Sequence, residues 1–233
     1  MSCGPSREAT INGVDRPAPL SRESYLQQWS QLHGGYDPRS NALVRWWLFM
    51  TYDVARLPVR ARLSPDLLTA FAVLVSFAAG ALAWLGGLWL MLAAVVVVVS
   101  GLLDNLDGAV AVLTGRSTKW GYVLDSTADR VSDLAYLAAL WLAGAPAELC
   151  VAGGALMFLL EFVRARAGAA GMSEVGVITV WERPTRVIVT AAFLCCAGVF
   201  ANDYWASLGA AAWVGLGVVG LGQLLIVVRR TLR

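Results

Sequence analysis

Four aspartates carry the chemistry that this sequence can do. Asp104 and Asp107 stand three residues apart, and Asp125 and Asp129 stand four apart. On an α-helix each spacing puts both side chains on one face. The runs around them are apolar enough to be membrane spans, where an aspartate costs roughly 2.5 to 3.5 kcal/mol near the centre. Four such groups need a shared counter-charge. Hard oxygen ligands without histidine or cysteine suit Mg2+ or Mn2+. Four carboxylates could hold two ions, the arrangement that clamps a phosphoryl group between attacking and leaving oxygens. Gly108 and Ala111 leave room beside the first pair for a bulky ligand, and Gly121 does so from the facing helix.

The rest of the chain must position those acids. Of 233 residues 58% are hydrophobic, which points to an all-α polytopic membrane protein. Six spans are expected, near Leu67–Leu85, Trp89–Leu113, Gly121–Leu142, Ala147–Val163, Val187–Phe200 and Trp205–Val228. Such lengths match a hydrocarbon core of roughly 30 Å. Ser64-Pro65-Asp66 starts the first span, with serine as N-cap and proline at the first helical position. The short loop 114–120 makes the second and third spans antiparallel neighbours, so the two acid pairs can converge on a pocket open to one side. Arg116, Lys119, Arg164, Arg166, Arg183, Arg186, Arg229 and Arg230 fall on that same side, and the opposite turns carry no Lys or Arg. The positive-inside rule then makes both termini and the pocket cytoplasmic in a cell-membrane protein. Trp84, Trp89, Trp141 and Trp205 fall near the outer interface, and Trp120 and Trp181 near the inner one.

Ahead of the spans, residues 41–62 mix Trp46, Trp47, Phe49, Met50, Val54 and Leu57 with Arg45, Asp53 and Arg56 at helical spacing. They read as an amphipathic interfacial helix ended by Pro58; a helix packed on the bundle fits the pattern equally. Residues 1–40 read as a mostly disordered cytoplasmic tail with a short helix near 24–32. The domain proper is 63–233. Cys3, Cys150, Cys195 and Cys196 have no metal or disulfide spacing, and His33 stands alone. A net charge of +2 gives no field for nucleic acid. Glycines 209, 215, 217, 220 and 222 allow close helix packing within the chain or a homodimer contact.

The stretch Asp104–Asp129 resembles the signature of the CDP-alcohol phosphatidyltransferases, D-x-x-D-G-x-x-A-R-x(8–11)-G-x-x-x-D-x-x-x-D. The matching residues are Asp104, Asp107, Gly108, Ala111, Gly121, Asp125 and Asp129; Val112 stands where the family has arginine. A looser likeness runs from Ser64, through Thr69, to about Arg186. The resemblance implies a transfer of the phosphatidyl group of a CDP-linked lipid, usually CDP-diacylglycerol, to a water-soluble alcohol, with release of CMP. It implies metal ligation by Asp104, Asp107, Asp125 and Asp129, with Asp129 also the base that takes the acceptor's proton. Asp104, Asp107, Gly108, Ala111, Gly121 and Thr69 would border the CDP-lipid, and Arg116 would supply the cation missing at 112.

Glu161-Phe162-Val163-Arg164-Ala165-Arg166-Ala167 and Arg183-Pro184-Thr185-Arg186 look like the region that binds inositol phosphate in the phosphatidylinositol-phosphate synthase branch. That implies acceptor contacts from Arg164, Arg166 and Arg186, with Asp133 extending the acidic face. Glycerol 3-phosphate is the next acceptor to consider. Two readings of other classes compete: a cation transporter, which would need polar residues in the outer halves of its spans, and an inactive paralogue serving as a partner subunit, for which Val112 speaks.

Overall fold

A computed structural model describes residues 21–32, 37–40, 42–172 and 178–233. Much of the N-terminal tail (1–20), Cys3, His33 and the side chain of Trp47 lie outside the described residues. Those described form helices and connecting turns, without strands: α1 Arg22–Leu32, a 3-10 turn Pro38–Ser40, α2 Ala42–Arg60, α3 Pro65–Leu85, α4 Trp89–Thr114, α5 Lys119–Leu142, α6 Ala147–Ala169, α7 Arg183–Phe200 and α8 Tyr204–Thr231.

The chain is an all-helical membrane protein. Helices α3, α4, α7 and α8 are long and apolar enough to cross a bilayer. Helices α5 and α6 have spanning length, at 24 and 23 residues. What keeps them out of the apolar class is their charge: Asp125, Asp129, Arg130 and Asp133 on α5, and Glu161, Arg164 and Arg166 on α6. The Ser64 cap forms as its sequence suggests, accepting from the Leu67 N–H at 3.2 Å with Pro65 in the first turn.

Helix α3 packs along both α4 and α5, whereas α4 and α5 touch each other over far fewer residues. The two acid-bearing helices were expected as direct neighbours. Instead α3 takes most of the packing of both, and α4 and α5 meet over only a few residues. Below the acids Tyr136 donates to Ser100 Oγ at 2.9 Å and Ser100 donates to the Ala72 carbonyl at 3.0 Å, tying α5, α4 and α3 together. Helices α6 and α8 pack closely, as do α4 and α7.

Three local expectations need correction. Pro58 does not end α2; it lies inside it, and the chain turns only at Arg62, a non-glycine residue with φ of 58°. A proline near a helix end forfeits one hydrogen bond, and Ala61 and Leu63 still find the Leu57 and Pro58 carbonyls at 3.0 Å. Trp181 faces neither lipid nor water. It is fully buried, edge-on to Trp213 with ring centroids 5.0 Å apart. Arg183 and Arg186 are not in a loop but in the first helical turns of α7, after the N-cap residue Glu182.

Helix α2 is two-sided. Leu48, Thr51, Tyr52 and Ala55 are buried, and Trp46, Val54 and Leu57 are exposed. Tyr25 and Leu26 of α1 and Leu48, Tyr52 and Ala55 of α2 form one apolar cluster with Ala109, Val110 and Val112 of α4.

Candidate active site

Asp104, Asp107 and Asp125 converge. One carboxylate oxygen from each lies within 4.8 Å of the others. The first two arrive on one face of α4 and the third from α5, as their spacing suggests. Asp107 is buried, and the Thr69 hydroxyl of α3 donates to its Oδ2 while lying 3.1 Å from the Pro65 carbonyl oxygen. Such a donor behind a ligand fixes the carboxylate's orientation. Asp129, expected as a fourth ligand, stands apart from this trio. Arg183 reaches across from α7 to bridge Asp104 Oδ1, at 2.8 Å, and Asp129 Oδ1; Arg130 adds a contact to Asp129 Oδ2 at 3.2 Å.

Behind the trio lies an ionic network that sequence reasoning largely missed. Arg130 Nη1 meets Glu161 at 2.6 Å, and its Nε lies 3.6 Å from Asp133. Arg186, only 1% exposed, pairs with Asp133 at 2.9 Å and Glu161 at 3.4 Å. Arg164 grips Glu182 through both Nη atoms, at 2.7 and 3.1 Å. Seven carboxylates (Asp104, Asp107, Asp125, Asp129, Asp133, Glu161, Glu182) thus face four guanidiniums, and Asp107 and Asp125 have no arginine partner among the described residues. The two carboxylates without an ion pair, Asp107 and Asp125, both sit where the trio converges. Three hard oxygen donors with surplus charge and no soft ligand fit a divalent ion of the Mg2+ or Mn2+ kind.

Glu182 lies outside the spans, between Trp181 and α7. Burial pushes its carboxyl up. Arg164 and two hydrogen bonds from Thr179, at 2.9 Å each from its N–H and hydroxyl, outweigh that and hold it below its ordinary value. Arg130 could have been found from sequence, because an arginine inside an apolar run requires partners. Its position beside Asp129 and one helical turn before Asp133 names two. Glu161 carried a weaker signal, Arg164 one turn along its own helix at 3.8 Å, while its shorter contacts to Arg130 and Arg186, and the Arg164 contact of Glu182, come from other elements.

The remaining expected residues divide clearly. Gly108 faces open space: a Cβ there would meet nothing within 4 Å. Gly121 instead serves the α5 cap; its N–H donates to Thr118 Oγ1 at 2.9 Å, and a Cβ would sit 3.2 Å from that hydroxyl. Ala111 is half-buried, and Val112 is buried in the apolar cluster under α2. Arg116 lines a separate cleft with Val59, Arg60 and Arg62. Arg166 is exposed and makes no ion pair among the described residues, and Asp133 is fully buried.

Helical spans, an aspartate trio split between two helices and an arginine-rich wall describe a class. Residues 62–222 match the family model for CDP-alcohol phosphatidyltransferase, and the chain belongs to that family of phosphotransferase enzymes. Relatives include a phosphatidylinositol phosphate synthase from Mycobacteroides abscessus, 34% identical over 180 residues, covering 71% of this chain and 76% of that one. An archaetidylinositol phosphate synthase from Aeropyrum pernix is 36% identical over 135 residues, covering 58% and 69%. Among solved structures, a Mycobacterium tuberculosis phosphatidylinositol phosphate synthase in complex with manganese and citrate superposes with a TM-score of 0.65 at 30% identity, covering 77% of this chain and 88% of the other. The same synthase with CDP-DAG bound gives 0.59 at 29%, covering 75% and 92%.

Proposed function

We propose that this enzyme transfers the phosphatidyl group of CDP-diacylglycerol to a hydroxyl of inositol phosphate and releases CMP, in a six-span topology with site and termini cytoplasmic. The observation that carries this reading is the convergence of Asp104, Asp107 and Asp125 beside Arg183, which itself touches Asp129. An acceptor phosphate drawn to Arg183 would bring a hydroxyl next to that carboxylate. Guanidinium forks match phosphate oxygens, and the named relatives are phosphatidylinositol phosphate and archaetidylinositol phosphate synthases.

Metal ions held by the trio, two in the fullest arrangement with Asp129 as the fourth ligand, would neutralise the diphosphate and the charge growing on the departing CMP. Asp129 accepts the acceptor's proton as its oxygen bonds to the lipid-side phosphorus and the bond to the CMP oxygen breaks. Thr69 holds Asp107 in place. Arg130, Arg164 and Arg186, with Glu161 and Asp133, set the position of α7 and so of Arg183. Arg166, exposed and uncommitted, is available to the acceptor.

The test is CMP release by the purified protein in neutral nanodiscs with CDP-diacylglycerol and Mg2+ or Mn2+. The acceptor panel is inositol phosphate, glycerol 3-phosphate, inositol and serine. Inositol phosphate should be preferred. Asp129→Asn should lower turnover by about 100-fold or more, the range of a lost general base, with protein yield unchanged. Full turnover in that variant would remove Asp129 from the role, and turnover with none of the four alcohols would favour the inactive-paralogue reading.

A further inference from the structure

We propose that Arg60, Arg62 and Arg116 form a phosphate-binding site for the diphosphate of the CDP-linked lipid, replacing the arginine that the family signature carries at position 112. The proposal rests on the transferase reading above. The signature cation cannot come from Val112, which is buried among Leu48, Tyr52, Ala55 and Leu68. Close to the same end of α4 a cleft of about 580 Å3 is lined by Val59, Arg60, Arg62 and Arg116. It gathers three guanidiniums from two segments more than fifty residues apart in sequence.

These three arginines differ from most of those of α5, α6 and α7. Arg130, Arg164, Arg183 and Arg186 of those helices are committed to carboxylates, whereas Arg60, Arg62 and Arg116, like Arg166, are exposed and make no ion pair among the described residues. Three like charges around one cleft repel unless an anion joins them, and arginine is the cation best matched to phosphate oxygens.

The backbone has been bent to bring them there. Arg62 occupies the left-handed region at φ 58°, an uncommon and costly conformation for a side chain of its size. Arg116 follows Gly115, itself left-handed at φ 63°, and its N–H closes the helix end on the Ala111 carbonyl at 2.9 Å. Both reversals lie on the carboxylate side of the molecule. Thr69 touches Asp107; Arg62 precedes Thr69 by seven residues, and Arg116 follows Asp107 by nine. At the helical rise these offsets place the backbone of the cleft about 10 to 14 Å beyond the acids. An arginine side chain is long enough to span part of that distance, so on this proposal the phosphates lie between the two groups.

The test compares unmutated protein with Arg60→Gln, Arg116→Gln, the Arg60→Gln/Arg116→Gln pair and Arg62→Gly, all in phosphatidylcholine nanodiscs. KM is measured for CDP-diacylglycerol and for the acceptor, and CDP binding is measured by calorimetry in the presence of Mn2+. The paired variant should raise both the CDP-diacylglycerol KM and the CDP dissociation constant about tenfold or more, the scale of lost charge-assisted hydrogen bonds. Acceptor KM should stay within twofold. Arg62→Gly relieves the backbone, so a purely structural arginine would leave affinity intact while the melting temperature rises; affinity should fall instead. An unmoved CDP dissociation constant in all variants overturns the proposal, as does a rise confined to acceptor KM. Loss of binding to phosphatidylglycerol vesicles with CDP binding retained overturns it in favour of an ordinary anionic-lipid contact. An unmutated protein that binds CDP but turns over no acceptor would sink the transferase reading alone, and the variants' CDP binding would still decide the site.

Discussion

At the scale of single residues, the site is a contest between carboxylates and guanidiniums. Asp107 and Asp125 make no ion pair with an arginine among the described residues, and Asp104 shares Arg183 with Asp129. Thr69 is the least conspicuous member, yet its hydroxyl donates directly to the buried Asp107. Thr69→Val keeps the shape and removes the donor. Metal half-saturation should then rise about 10- to 100-fold, the usual cost of losing an outer-shell partner, read from Mn2+ titration of turnover and from electron paramagnetic resonance of bound Mn2+. An unchanged Mn2+ affinity would leave Thr69 a helix-packing residue. The aspartates were legible because acids repeated at three- and four-residue spacings inside apolar runs are too costly to sit there without a shared cation. Glu161 and Glu182 were not, because a glutamate near the edge of an apolar run also reads as solvent-facing. Only the fold sets each against an arginine from another helix.

At the scale of elements, the helix boundaries at the turns 86–88 and 143–146 followed from the sequence, those at Pro58, Val163 and Val187 did not, and neither did the helix neighbours. Ser64, Gly86-Gly87 and Gly144-Ala145-Pro146 punctuate the chain where the helices break. That α3 would stand alongside both α4 and α5 was invisible, since a short loop between consecutive helices suggests contact between them. The glycines of α8 were ambiguous between internal packing and a second copy of the chain, and geometry divides them. A Cβ on Gly220 would lie 2.6 Å from Trp181 Cβ, and one on Gly209 would lie 2.8 Å from Phe193 Cβ, whereas Gly215 and Gly222 meet nothing within 4 Å. Gly220→Ala should therefore destabilise by about 1 to 3 kcal/mol through overpacking, while Gly215→Ala should be neutral or gain a few tenths from helix propensity. Thermal melting in detergent reads both, and equal melting temperatures would remove the Trp181 contact as a constraint. Trp181 escaped sequence reasoning for a related reason. Tryptophan near a span end suits the interface, and only a glycine-lined recess opposite makes full burial possible.

At the scale of the whole molecule, the Arg164–Glu182 ion pair ties the connection between α6 and α7 to the bundle. Glu182 is held below its ordinary value of 4.5 by Arg164 and Thr179 against the opposing effect of burial. A carboxyl whose pKa is lowered on folding stabilises fully above its unfolded value, and loses that contribution as pH falls through the folded one. Acid should thus lower the melting temperature below about pH 4.5, and Glu182→Gln should flatten that limb. An identical acid limb in wild type and variant would assign the loss to other groups.

One consequence reaches beyond the catalytic half. Tyr25, Leu26, Leu48 and Tyr52 cover Ala109, Val110 and Val112, on the helix that bears Asp104 and Asp107. The amino-terminal helices are thus a lid of oily side chains clamped to the back of the metal-bearing rod. A version of the enzyme trimmed to start at Leu63 keeps almost all of the family-matched region, yet it bares that greasy seam to water at the membrane edge. It should clump on gel filtration where the longer chain runs as a single peak, and a clean single peak from the trimmed form would show the lid to be dispensable.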